Sequence, residues 1–201
     1  MIIERKKYIK QLLDSRHNGL VKIITGVRRC GKSFLLFNLF RRQLEMEGVD
    51  KEHIIEMAFD DFANRQYRDP DKFYQYVKSL IKDGRKYYIL LDEVQMLNEF
   101  EDVLNGLLHI ENADVYVTVS NAKFLSKDII TEFRGRGYQI HVSPLSFSEF
   151  MSVYSGTKEN GWIEFLQYGG LPPVVLQPTE ESKINLLKDL WNETYFDRYS
   201  E

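Results

Sequence analysis

The stretch Val21-Lys22-Ile23-Ile24-Thr25-Gly26-Val27-Arg28-Arg29-Cys30-Gly31-Lys32-Ser33 constrains this chain more than any other. Residues 26–33 fit the pattern G-x-x-x-x-G-K-[ST], with a β-branched run before them and Phe34-Leu35-Leu36-Phe37-Asn38-Leu39-Phe40 after them. A buried strand, a glycine-bearing turn and a helix, in that order, are the setting in which this pattern cradles phosphate. Glycine lets successive backbone N–H groups turn inward around a β-phosphate, and the helix that follows points its positive end at the same anion. The spacing predicts that Lys32 reaches the β- and γ-phosphates and that the Ser33 hydroxyl ligates Mg²⁺. The chain is therefore expected to bind a nucleoside triphosphate. Gly26, Val27, Arg28, Arg29, Cys30 and Gly31 form the expected loop, and Lys32, Ser33 and Phe34 open the helix. Arg28 and Arg29 are read as contacts to phosphate or to an acidic partner, with at least one facing solvent. Cys30 is read as a small filler whose thiol, if exposed, would let thiol reagents block the site.

A length of 201 residues with 43% hydrophobic content suffices for one full core and an appendage. The formal charge of −3 supplies no general attraction to nucleic acid or to an anionic membrane. No apolar run is long enough to span a bilayer. Met1-Ile2-Ile3-Glu4-Arg5-Lys6-Lys7 lacks the apolar core and small-residue cleavage site of a secretory signal. A single cysteine excludes a disulfide framework and fits a reducing cytoplasm. His17, His53, His109 and His141 share no ligand spacing, so the expected metal is the nucleotide's own Mg²⁺.

Strand-like and helix-like runs alternate almost to residue 142, the pattern of a parallel sheet covered on both faces. Expected strands are Leu20 to Thr25, His53 to Phe59, Tyr87 to Leu91, Val115 to Val119 and Tyr138 to Val142. Helices are expected over Lys32 to Met46, Pro70 to Lys82, Phe100 to Ile110 and Ala122 to Phe133. After Pro144 the period turns helical, with pieces at Ser146 to Tyr154, Gly161 to Tyr168 and Glu180 to Tyr199. Residues 1–143 are thus expected to form a phosphate-binding α/β core, and residues 144–201 a helical lid with the start of a further region.

The third strand ends in Asp92-Glu93. The first carboxylate is placed to hold Mg²⁺ through water, and the second to take a proton from an attacking water. The strand at His53 to Phe59 falls between this pair and the phosphate loop. That insertion and the glutamate mark the division of such folds with an added strand and a catalytic glutamate, and speak against the nucleotide kinases and GTPases. The fourth strand ends in Ser120-Asn121, where a polar side chain can sense the γ-phosphate or cap the next helix. Arg134 and Arg136, before the fifth strand, suit a finger supplied in cis or from a neighbouring subunit, or a solvated Gly-Arg turn. Tyr168-Gly169-Gly170-Leu171-Pro172-Pro173 is a turn whose Gly170 and Pro172 can bring backbone close to a base or ribose.

Together these residues resemble a bacterial and archaeal family of AAA+-superfamily ATPases in which an AAA-type domain precedes a C-terminal domain of unknown function. The resemblance rests on Gly26 to Ser33, Leu90-Leu91-Asp92-Glu93-Val94-Gln95, Ser120 to Ser126, Arg134-Gly135-Arg136, Pro144-Leu145-Ser146-Phe147-Ser148-Glu149-Phe150 and Gly169-Gly170-Leu171-Pro172. It implies ATP as ligand, a sheet of order 5-1-4-3-2, a helical lid after the fifth strand and a larger parent protein. It also implies that Arg5 lies near the base-binding edge. Two departures stand out. Phe34 takes the place of a small Thr, and Val119 that of a glycine ahead of the sensor.

The reading is an ATPase in which Lys32 holds the phosphates, Ser33 and Asp92 the metal, and Glu93 activates water. Asn121 senses the γ-phosphate, and Arg134 or Arg136 supplies the finger. The alternative is a slow nucleotide-controlled switch that recruits a protein or nucleic acid with little hydrolysis of its own. A finger in trans requires a homo-oligomer. Lys123, Lys127, Arg134 and Arg136 form a basic cluster, read against the acidic whole as a solvated face.

Overall fold

Alternation along the strands assigns each face of the sheet its own helices. The computed structural model describes residues 2–120 and 135–195. Within them the chain divides into two units, Arg5–Val142 and a second made of the N-terminal residues before Arg5 with those from Ser143 onward.

The larger unit holds five parallel strands, β1 (Val21–Thr25), β2 (Ile54–Ala58), β3 (Tyr87–Asp92), β4 (Ala113–Thr118) and β5 (Gly137–His141). Their spatial order is β2-β3-β4-β1-β5, the expected 5-1-4-3-2 read from the other edge. In register, Leu91 lies beside Val117, Ile23 beside Val117 and Ala58 beside Asp92. The carboxyl ends of β1, β3 and β4 therefore converge at one edge of the sheet. That edge is where ligands bind in open α/β sheets.

Side chains two apart share a face. Val21, Ile23, Ile89, Leu91, Val115 and Val117 pack on one side with α3 (Pro70–Leu80) and α4 (Phe100–Leu108). Ile24, Tyr88, Leu90 and Tyr116 pack on the other with α1 (Lys6–Asp14) and α2 (residues 32–46). Truncating one wholly buried aromatic such as Phe40 to Ala removes about 3–5 kcal/mol.

Helix α2 is continuous but not uniform. Residues Leu35–Phe40 form a π-helix between α-helical Lys32–Phe34 and Arg41–Met46, and the Arg41 N–H reaches back to Leu36 O. α3 starts where expected, with Pro70 in its first turn and the Asp69 carboxylate accepting from the Lys72 N–H at 3.0 Å. It ends at Leu80, two residues short of the expected Lys82. The predicted helix over Ala122 to Phe133 lies outside the described residues.

The C-terminal unit contains α5 (Phe147–Met151), α6 (Lys158–Tyr168), α7 (Pro172–Val175) and α8 (Glu180–Tyr195). A capping box between Ser146 and Glu149 opens α5. Phe147, Phe150, Trp162 and Phe165 stack at the join of α5 and α6, with the Trp162 ring edge-on to Phe147 at 4.9 Å. Lys183 pairs with Glu164, tying α8 to α6.

Candidate functional site

Gly26 leaves β1 with φ 147°, and Gly31 turns the chain into α2 with φ 95°. A Cβ on Gly26 would lie 2.2 Å from the Val142 carbonyl oxygen, so no other residue fits without moving a strand end. Between the two glycines Arg29 takes a left-handed backbone, φ 64°, and the Cys30 N–H closes back on Val27 O at 3.3 Å. The Lys32 ammonium is buried at the centre of this loop and donates to Gly26 O at 3.0 Å and Val27 O at 3.2 Å.

Cys30 is wholly buried in the core beneath the loop. Burial pushes its thiol above the ordinary value, against the smaller opposing pull of Lys32 and Arg5. The side chain fills space beneath the loop and its thiol is shielded, so the condition for block by thiol reagents, an exposed thiol, is not met. Arg5 is buried and donates from Nη1 to Cys30 O at 3.2 Å, bracing the loop from the segment before α1. Its guanidinium also lies over the Tyr8 ring at 4.8 Å. Val27 and Phe34 are about half exposed at the mouth of the loop.

Asp92 closes β3, buried, and its Oδ1 accepts from the Thr118 hydroxyl of β4 at 2.5 Å. Burial pushes its carboxyl above the ordinary value, and the charges of Glu93 and Asp60 add to that push. Hydrogen bonds from the Thr118 and Ser33 hydroxyls oppose it. Ser33 of the phosphate loop and Asp92 thus meet, although 59 positions separate them in the chain. A carboxylate and a hydroxyl side by side are hard oxygen donors. They suit Mg²⁺, which keeps most of its waters and takes few protein ligands.

Glu93 follows with a left-handed backbone, φ 52°. Its N–H donates to Thr118 Oγ1 at 3.0 Å. Its carboxylate accepts from two donors, the Gln95 amide on Oε2 and the Ser120 hydroxyl on Oε1. Non-glycine residues held left-handed cost about 1–3 kcal/mol each and gather at functional sites. Glu93 and Arg29 are two of four such residues among those described.

Sequence reasoning missed the tie from Ser120 to Glu93, which joins the ends of two strands that only the sheet order makes neighbours. Gln95 was visible in the run Asp-Glu-Val-Gln without an assigned role. Val119, where the resemblance implies a glycine, is not left-handed. Its N–H continues the ladder to Ile24 O at 3.1 Å, and its side chain is buried in the core.

Asn121 and Arg134 lie outside the described residues. Arg136 precedes β5, at the amino end of the sheet, where its carbonyl accepts from the Val21 N–H and its guanidinium donates to Asn105 at 3.0 Å. Five residues of strand, roughly 16 Å, separate that end from the phosphate loop. Arg136 as a finger in cis is thereby corrected: the length of β1 keeps it from its own loop. Gly170 and Pro172 belong to the C-terminal unit. There the close approach that Gly170 permits is to Leu145, whose carbonyl oxygen would lie 2.2 Å from an added Cβ. The Leu145 N–H donates to Gly170 O at 2.7 Å, so packing within the unit accounts for the glycine, without a ribose. Pro172 opens α7 in its first turn.

A family model described as an AAA domain matches residues 6–151. The chain belongs to the AAA domain family. Its five-stranded order and strand-loop-helix phosphate motif are those of a P-loop NTPase. An uncharacterized protein of Haemophilus influenzae is 32% identical over 94% of this chain and 49% of its own length. An uncharacterized protein of Methanocaldococcus jannaschii is 24% identical over 88% of this chain and 41% of its own. The chain thus spans about half the length, or less, of the curated relatives it matches. The structure of C. elegans PCH-2 superposes with a TM-score of 0.52 at 15% identity, over 81% of this chain and 46% of that one, a likeness of fold. No helix among the described residues is long and apolar enough to cross a membrane.

Proposed function

We propose that this AAA domain binds Mg-ATP in the loop of residues 26–33 and hydrolyses it to ADP and phosphate. The observation that carries the reading is the meeting of Ser33 with Asp92 at the sheet edge, with Glu93 next in the chain. Lys32, which now donates to two loop carbonyls, exchanges them for β- and γ-phosphate oxygens. Ser33 and Asp92 hold the metal, and Mg²⁺ when bound neutralises the charge that gathers on the phosphates. Glu93 takes a proton from water as the water oxygen bonds to the γ-phosphorus, and the bond to ADP breaks with the electron pair leaving on ADP. Asn121 is assigned the γ-phosphate contact. Arg136, and Arg134 with it, serve a nucleotide on a neighbouring copy, which makes the active species a homo-oligomer. The C-terminal helices act as a lid, and the reducing cytoplasm suits the single shielded thiol.

The second reading is a nucleotide-controlled switch that recruits a partner and turns over slowly. The departures at Phe34 and Val119 favour it, since they leave the nucleotide-binding loop intact while changing the residues beside the metal-binding serine and ahead of the sensor.

Hydrolysis by the parent and by Glu93→Gln, with Mg-ATP binding recorded in both, tests the proposal. An ATPase with Glu93 as base loses about 10²- to 10⁴-fold in kcat while binding persists. Tight binding with no turnover in either protein selects the switch. Equal turnover in both refutes Glu93 as the base.

A further inference from the structure

We propose that Gln95 is a positioning residue for Glu93 and that its carbonyl oxygen receives an O–H of a bound water; this rests on Glu93 as the base. Four observations carry it. Glu93 enters a 3₁₀ turn over Val94–Met96, closed by the Met96 N–H on Glu93 O at 3.0 Å, which brings the side chain of residue 95 back onto residue 93. The Gln95 Nε2 donates to Glu93 Oε2, while Ser120 takes the other oxygen, so the plane of the carboxylate is fixed from two sides. The peptide before it is fixed as well, through the Glu93 N–H on Thr118 Oγ1.

The fourth observation is the far end of the same amide. Gln95 Oε1 is buried and has no hydrogen-bond partner among the described residues. Flipping the amide does not relieve this, because it would set Oε1 against a carboxylate oxygen with no hydrogen between them. The NH₂ group must face Glu93, and Oε1 must remain an acceptor that no described residue supplies with a donor. A buried acceptor left unmade is costly, so such a site selects a donor from outside the protein. Water is the donor the proposed reaction brings to the neighbourhood of Glu93. One O–H to Gln95 and the other to the Glu93 carboxylate would hold the water by both hydrogens and leave its oxygen lone pairs toward the phosphate.

A hydrogen-bonding partner that acts through the base differs from a packing residue in what its loss changes. Gln95→Leu keeps the bulk and removes both polar atoms. It is expected to lower kcat about 10- to 100-fold, the scale seen when a partner that orients a reacting group is lost. The Kd for Mg-ATP and the Tm should stay at the parental values. In a Glu93→Gln background the same change should cost nothing further, because the two residues act as a unit. Independently of turnover, the Gln95 side-chain amide signals in ¹⁵N spectra of the nucleotide-free protein should move on Glu93→Gln.

Parental kcat in Gln95→Leu overturns the proposal, as does an equal loss in both backgrounds. A fall of Tm and nucleotide binding in step with kcat assigns Gln95 to packing and overturns it too. Unmoved amide signals overturn it without any turnover. If the parent binds Mg-ATP and hydrolyses none, the base reading itself has failed and takes this proposal with it. Failure of the proposal alone leaves the parent active, Glu93→Gln inactive and Gln95→Leu at the parental rate.

Discussion

Lys22 lies wholly buried near the start of β1, a position the apolar run around it would give to a hydrophobe. It pairs with Asp114 of β4 and donates to Leu20 O at 2.9 Å. The Tyr116 hydroxyl donates to Asp114 at 2.7 Å, and the His17 N–H does so at 3.1 Å. This charge cluster sits at the amino end of the strands, away from the phosphate loop, and is structural. Burial lowers the His17 imidazole below its ordinary value of 6.5, outweighing the raising effect of Asp114. Lys86, Lys22 and Arg16 push the same way as burial. The unfolded chain therefore binds the proton more tightly, and folding stability rises with pH from the folded value up to about 6.5. Stability is thus expected to fall as pH drops below 6.5, and His17→Asn, which tolerates the left-handed backbone at φ 53°, should flatten that part of the slope. Denaturation midpoints of both proteins at pH 7.5 and 5.5 measure the difference; parallel slopes would refute it. Gly26→Ala places its Cβ against Val142 O at 2.2 Å. It should cost at least about 1–3 kcal/mol in unfolding free energy and abolish nucleotide binding, read by thermal denaturation and equilibrium titration. The residue types of the loop were legible in the sequence. The Lys22 cluster was not, because its partners lie in other strands and loops.

Elements were legible where period and punctuation agreed. β3 reads as unbroken apolar residues closed by two acids, and it forms over Tyr87–Asp92. α3 was marked at its start by Asp69-Pro70 and in its body by Phe73 and Val77, both buried. Asp69→Ala removes the cap on the Lys72 N–H and should cost about 1 kcal/mol. For a chain of this size that lowers Tm by about 2–4 °C in a thermal scan. α1 has only Tyr8 and Leu12 buried, one turn apart, and its run of lysines hides that stripe. The π-helical stretch at Leu35–Phe40 carries no composition signal, since its residues suit an α-helix equally well. The 3₁₀ segment Phe62–Arg68 is held by local bonds such as Arg68 to Phe59 O at 2.8 Å, which leave no periodicity to read.

At the scale of the molecule, the sheet order came with the resemblance and not from strand propensity. β4 lies between β1 and β3, which sets Asp92 and Ser120 at one edge with the loop that carries Ser33. The parallel direction of β5 puts Arg136, just ahead of it, at the far end from the loop that follows β1, a separation legible in its place before the fifth strand. The central claim is that residues 26–33 hold a nucleotide through Lys32. Titration of labelled Mg-ATP into the parent and Lys32→Ala, with circular dichroism to verify that both are folded, tests it most directly. The parent is expected to saturate at one nucleotide per chain, and the variant to bind about 10- to 100-fold more weakly. A folded variant that binds as tightly as the parent, or a parent that binds no nucleotide, would contradict it.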